Sequence, residues 1–98
     1  MTRTAPATDF VAECFCPGVD EAALRELDAR AGASAAELAG SGEPVRYLGS
    51  ILMREDEVVL CLFEGGEQAV RRAAEQAEIP FDRIVAATGG PWPVSMTE

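Results

Sequence analysis

Three cysteines, a single tyrosine and a few carboxylates placed among apolar neighbours are the residues of this chain that can do chemistry. There is no histidine, so nucleophilic catalysis of the Ser-His-Asp or Cys-His kind is excluded. Any metal site has to be built from thiolates and carboxylates. Cys14 and Cys16 lie two apart in an extended segment, Asp9 to Cys16, so their side chains share one face. Cys61 sits in a second apolar run that the topology derived below sets beside the first. Cys14, Cys16 and Cys61 are therefore the candidate metal ligands, with Glu13 or Glu64 able to add oxygen donors. The competing reading is that all three are small buried hydrophobes, the commoner fate of free cysteines.

Glu13 is a carboxylate inside a strand of apolar and cysteine neighbours. If that strand is covered, its charge must be paired or its pKa must rise. Arg46, Tyr47, Ser50 and Glu64 are the polar groups able to meet it. With Glu13 and Cys61 they make up the candidate ligand-binding set. A carboxylate buried beside a phenol would serve as a general acid or base, which makes Glu13 and Tyr47 the catalytic candidates. An equally weighted alternative leaves Glu13 in solvent, paired with Arg46 or Arg83, and Tyr47 as a packing residue with a satisfied hydroxyl. Arg71-Arg72 would suit an anion, but balances Glu67, Glu75 and Glu78 as an ordinary solvated face. Gly65-Gly66 lacks the basic partner and longer glycine pattern of a phosphate cradle.

These residues need elements to hold them. The 98 residues suffice for one domain and one core, and 48% hydrophobic content fits a globular chain. A net charge of −9 disfavours nucleic acid and anionic membrane surfaces. No apolar run approaches the roughly 18 residues of a membrane span. The start, Met1-Thr-Arg-Thr-Ala-Pro, has no apolar core of a secretory signal. With an odd number of cysteines as well, the expected compartment is the reducing cytoplasm.

Val45–Met53 and Val58–Glu64, two apolar runs around a charged break, read as a β-hairpin. Pairing Met53 with Val58 sets Ser50 opposite Cys61, Leu48 opposite Phe63 and Tyr47 opposite Glu64. Val58 to Phe63 has no polar side chain on either face, which argues that both faces are covered. Pro17-Gly18 ends the first strand. Asp20 caps a helix whose apolar stripe is Leu24, Leu27, Ala31, Ala35 and Leu38, with a weak point near Gly32-Ala-Ser34. Gly40-Ser-Gly42 and Pro44 end it. A second helix spans Glu67 to about Glu78, its small apolar face made by Ala69, Val70, Ala73, Ala74 and Ala77. Pro80 stops it, and Phe81–Ala87 forms a last strand. Residues 1–8 read as a leader, 9–88 as one domain, and 89–98 as a tail in which Trp92 could anchor. The order β-α-β-β-α-β is the ferredoxin-like arrangement. Right-handed crossovers give an α+β fold with an antiparallel sheet of order 4-1-3-2 and both helices on one face. The other face, open in a monomer, predicts a homodimer with stacked sheets, a dimeric α+β barrel.

Gly42-Glu-Pro-Val-Arg-Tyr-Leu-Gly-Ser50, Cys61-Leu-Phe-Glu64, the helical Ala-Val-Arg-Arg72 and Ile-Pro-Phe-Asp-Arg-Ile84, with Phe10-Val-Ala-Glu13 and Pro17-Gly18, resemble a small bacterial family of unknown function described as nickel-binding-protein-like. The resemblance covers roughly residues 9 to 87. It implies a dimeric ferredoxin-like fold and a metal-binding role, with nickel or another divalent ion as the cofactor; a fold transfers more safely than a function. Three functions follow. The favoured one is a small cytosolic dimeric binding protein holding a metal ion or small ligand between sheet and helices. The second is a small α+β barrel enzyme, an isomerase, cyclase or cofactor-independent oxygenase using Glu13 and Tyr47. The third is an interaction domain without pocket chemistry. Clustered thiols near carboxylates favour the first, a buried Glu13 facing a cavity the second, and a filled core the third.

Overall fold

In the computed structural model, which describes residues 9–87, the chain runs β1 (Asp9–Phe15), α1 (Glu21–Gly40), β2 (Val45–Met53), β3 (Val58–Gly65), α2 (Glu67–Gln76) and β4 (Arg83–Ala87). The sheet order is β2-β3-β1-β4 with every pair antiparallel, the ferredoxin-like topology expected. The leader and the tail with Trp92 lie outside the described residues.

Local chemistry sets the element ends. The Asp20 carboxylate accepts from the Ala23 amide at 2.8 Å and caps α1. The weak point expected at Gly32-Ala-Ser34 does not break this helix. The Ser34 hydroxyl donates instead to the Ala73 carbonyl of α2 at 2.8 Å and ties the two helices together. Helix α2 stops two residues short of Glu78. The Glu78 amide donates to the Glu75 carbonyl, that of Ile79 donates to Ala74, and Glu78 itself is left-handed at φ 60°. This is a Schellman end with a glutamate where glycine is usual, and the buried Ile79 supplies its apolar contact. Arg30 of α1 reinforces it, its Nε donating to the Ala77 carbonyl at 2.8 Å. Strand β4 begins at Arg83 rather than Phe81, because the Asp82 amide already donates to the Glu13 carbonyl at 2.7 Å while Phe81 packs against the core.

Burial alternates along β1 and β3, so one sheet face is closed by the helices. Phe10, Ala12, Cys14, Val59, Cys61 and Phe63 supply that face; Leu27, Ala31, Ala35 and Leu38 of α1 and Val70, Ala73 and Ala74 of α2 cover it. The alanines let α2 approach closely, at a contribution of about 1.5–3 kcal/mol for each large side chain buried.

The hairpin departs from the expected register beyond Ser50. Met53 pairs with Val58 and Ser50 with Cys61 as expected, but Tyr47 pairs with Phe63 and Arg46 with Glu64. A bulge between Tyr47 and Gly49 absorbs Leu48, with Gly49 at φ 137°. One extra residue exchanges the faces of everything before it. Tyr47 therefore joins the helix side, stacked obliquely on Phe63 with centroids 5.0 Å apart. The open side carries Val11, Leu60, Leu62 and Val85. Its most exposed apolar residues are Phe15, Ile51 and Met53, the first at 56%.

Candidate functional site

The sheet draws the candidate residues onto two opposite faces. On the helix side, Cys14 lies opposite Val59 and Cys61 opposite Ala12, so the two thiols are diagonal neighbours on adjacent strands. Both are buried, Cys16 is half-buried at the end of β1, and all three are free thiols. Hydrogen bonding between the Cys14 and Cys61 thiols, then burial, then nearby negative charge including Asp82, pushes the Cys14 thiol far above its ordinary value. Burial, followed by Cys14 and Asp82, raises Cys16. These groups are thiols, not thiolates, at neutral pH.

The bulge aims the Tyr47 hydroxyl at α1, where it donates to the Asp28 carboxylate at 2.5 Å. Burial and then this bond raise the phenol well above its ordinary value, so Tyr47 stays protonated. Ser50 and Cys61 complete its polar surroundings. Asp28 is the partner that pattern reading misses, because a helical aspartate reads as a solvated charge. The available signal is position: Asp28 falls four residues after Leu24 and three before Ala31, on the stripe's own side.

Glu13, Arg46 and Glu64 occupy the other face. Glu13 receives both Arg83 nitrogens, at 2.7 and 3.4 Å. Arg46 meets Glu64 at 3.2 Å. Glu13 and Tyr47 are thus separated by the sheet and form no acid–base pair within one chain. The set Glu13, Arg46, Tyr47, Ser50, Cys61 and Glu64 divides into two unrelated trios. Arg71 and Arg72 are held by Glu67 and Glu43. Two shallow grooves, of about 280 and 370 Å³, lie along the α1–α2 seam at Arg30 and Glu78 and at the corner of Pro44 and Gly65. Neither reaches the thiols.

Among the described residues no group of three or more Cys, Asp or Glu side chains is arranged to hold a metal ion. The carboxylates around the candidates are already engaged, Asp82 by the Phe15 amide, Asp28 by Tyr47 and, on the other face, Glu13 by Arg83. Nor is any described helix long and apolar enough to cross a membrane.

A family profile described as nickel responsive protein SCO4226-like matches residues 10–86, which takes in nearly all of the six elements. No curated protein and no solved structure matches the chain. The donor set does not suit nickel in one subunit: the imidazoles nickel favours are missing, and the buried thiols of Cys14 and Cys61 are diagonal rather than grouped with further donors.

Proposed function

The chain belongs to the nickel responsive protein SCO4226-like family, and from that premise we propose that it is a homodimeric cytosolic binding protein, acting by ligand uptake rather than by catalysis. The observation that carries this reading is the open sheet face. Val11, Leu60, Leu62 and Val85 run across it, and Phe15, Ile51 and Met53 project from it. A continuous apolar surface of this kind is a site of association. Its charges are paired: Glu13, on an interior strand opposite Leu60, with Arg83, and Arg46 with Glu64 at the β2 side. A second copy stacked on this face meets apolar surface interrupted by charges that are already neutralised within each copy, a pattern that two-fold symmetry can pair with itself. The engaged Glu13 and the protonated Tyr47 support binding over acid–base catalysis. Free, unpaired thiols suit a reducing compartment. The family's link to nickel enters as a relation to metal, without a nickel site drawn on this chain.

Light scattering coupled to size exclusion tests the reading. The expected result is a dimer over the micromolar range, and Leu60→Arg, which sets a charge in the middle of the apolar face, gives a folded monomer with an unchanged circular dichroism spectrum. A wild-type monomer throughout that range overturns the dimer.

A further inference from the structure

The disagreement between the family's link to nickel and the donors present points to a different ion. We propose that Cys14 and Cys61 form a two-coordinate site for a thiophilic d10 cation of the copper(I) class, and that Cys16, at the rim, is the thiol that hands the ion in. The role of this site rests on the binding reading; its existence does not require the dimer.

Geometry carries the proposal. Cys14 and Cys61 project from adjacent strands onto the same buried face at diagonal positions. Diagonal side chains start about 7 Å apart, so two Cβ–S bonds turned inward can bring two sulfurs to within about 4–5 Å of one another. That is close to twice a metal–thiolate bond of ~2.3 Å. A linear S–M–S unit fits between the strands with a small adjustment of two χ1 angles. Tetrahedral zinc and octahedral nickel need more donors, and among the described residues no third ligand joins the pair in a metal-holding arrangement. A soft monovalent d10 ion is satisfied by two sulfurs, and thiolates select such ions over harder ones.

The surroundings decide access and charge. Ala12, Val59 and Val70 are fully buried members of the same core, so water and competing oxygen ligands are excluded. Cys16 is half-buried and interacts with Cys14, which gives the ion a first thiol to meet and a second to pass to. Binding is an exchange: two S–H bonds break, two S–M bonds form, and two protons leave to solvent, so a neutral dithiol becomes a bis-thiolate complex of charge −1. No electron is transferred. The titratable groups facing the pair are Cys16 and Asp82 beside Cys14, and Tyr47, itself bonded to Asp28, beside Cys61. Because each ligand gives up its proton on binding, apparent affinity climbs with pH, by up to about a hundredfold per pH unit where both protons are released.

The experiment is an anaerobic titration of the full, reduced chain with copper(I) against the chromogenic competitor bicinchoninate, at pH 6.5, 7.0 and 7.5. Nickel(II) and zinc(II) are run in parallel. Expected are one copper(I) per subunit, a two-proton slope, and a copper-edge X-ray absorption spectrum of linear two-sulfur coordination. Cys14→Ala and Cys61→Ala, checked for folding by circular dichroism, each weaken binding by about a hundredfold. Cys16→Ala keeps the affinity within about threefold but slows uptake. Three- or four-coordinate copper in the wild-type spectrum, affinity that survives Cys14→Ala, or a preference for nickel overturns the site, and the wild-type spectrum decides the coordination even where a variant fails to fold. Light scattering on the same samples separates the two readings. A dimer that releases copper to the competitor refutes only the site, and a copper-binding monomer refutes only the dimer.

Discussion

The two faces of the four-stranded sheet are built from the same strands and behave as opposites. On the helix side the polar groups are few and partnered: Tyr47 donates to Asp28, Ser34 to the Ala73 carbonyl and the Cys14 thiol to the Ala12 carbonyl. On the open side the apolar residues are half-exposed and the charges among them pair with one another. Buried polar groups must find partners, since an orphan costs about 1–3 kcal/mol, whereas exposed ion pairs contribute little in water. The difference teaches where specificity resides. The closed face determines one fold, and the open face is left half-exposed.

The largest test of that contrast is a matched pair of truncations. Phe63→Ala, on the closed face, is expected to lose about 4 kcal/mol in urea unfolding, from lost transfer energy plus the cavity left behind. Leu60→Ala, three residues earlier and on the other face, is expected to lose about 1 kcal/mol or less at high dilution and more as concentration rises and the face becomes covered. Equal losses at every concentration would erase the distinction.

Gly65→Ala comes next. The strand leaves β3 here at φ 145°, and a Cβ would stand 2.7 Å from the Pro44 carbonyl oxygen. Relief has to come from backbone, so a loss of about 2–3 kcal/mol is expected. An unchanged melting temperature would show that the β2 entrance is looser than the geometry requires.

Tyr47→Phe sharpens the closed face through pH. Removing the hydroxyl leaves the half-buried Asp28 carboxylate without its donor, at about 1–2 kcal/mol near neutrality. The Tyr47, Cys14 and Cys16 pKa values are all raised by folding. The unfolded chain therefore sheds these protons first as pH rises, and stability that is complete below about pH 8 falls from about pH 8.5 upward. Urea midpoints between pH 7 and 10.5 are expected to drop along that limb. The variant lacks the component that begins near pH 10. A flat wild-type profile would contradict the assigned burial of these groups.

The smallest effect belongs to Arg83→Gln. The guanidinium is in solvent, so the monomer's stability is expected to stay nearly unchanged. What shifts is the dimer, because Glu13 then carries an uncompensated charge into the covered face and dissociation rises at low salt. Thermal melting and sedimentation of the same variant separate the two outcomes.

Much of this was legible along the chain. Apolar periodicity, Asp20, Pro17-Gly18 and Gly40-Ser-Gly42 marked the elements, and their order left one short list of topologies. The absence of histidine and the unbroken run Val58 to Phe63 were equally plain. The candidate site was less so. Glu13 lay evenly between a buried acid and a solvated ion pair, because a strand position states which residues share a face but not which face is covered.

Tertiary structure decided that by packing both helices on the opposite face from Glu13, and it decided the fate of Tyr47 through one residue. The bulge at Leu48 exchanges the faces of Arg46 and Tyr47, sending the phenol to Asp28 and the guanidinium to Glu64. Nothing local demands it: a regular ladder was available to the same residues, and the gain lies in contacts with α1 and with Phe63. What the sequence determines by itself is therefore what depends on near neighbours, namely caps, turns, periodicity and the menu of donors. Which donors meet depends on strand register and on the covering helix, and those are resolved only when the whole core packs at once.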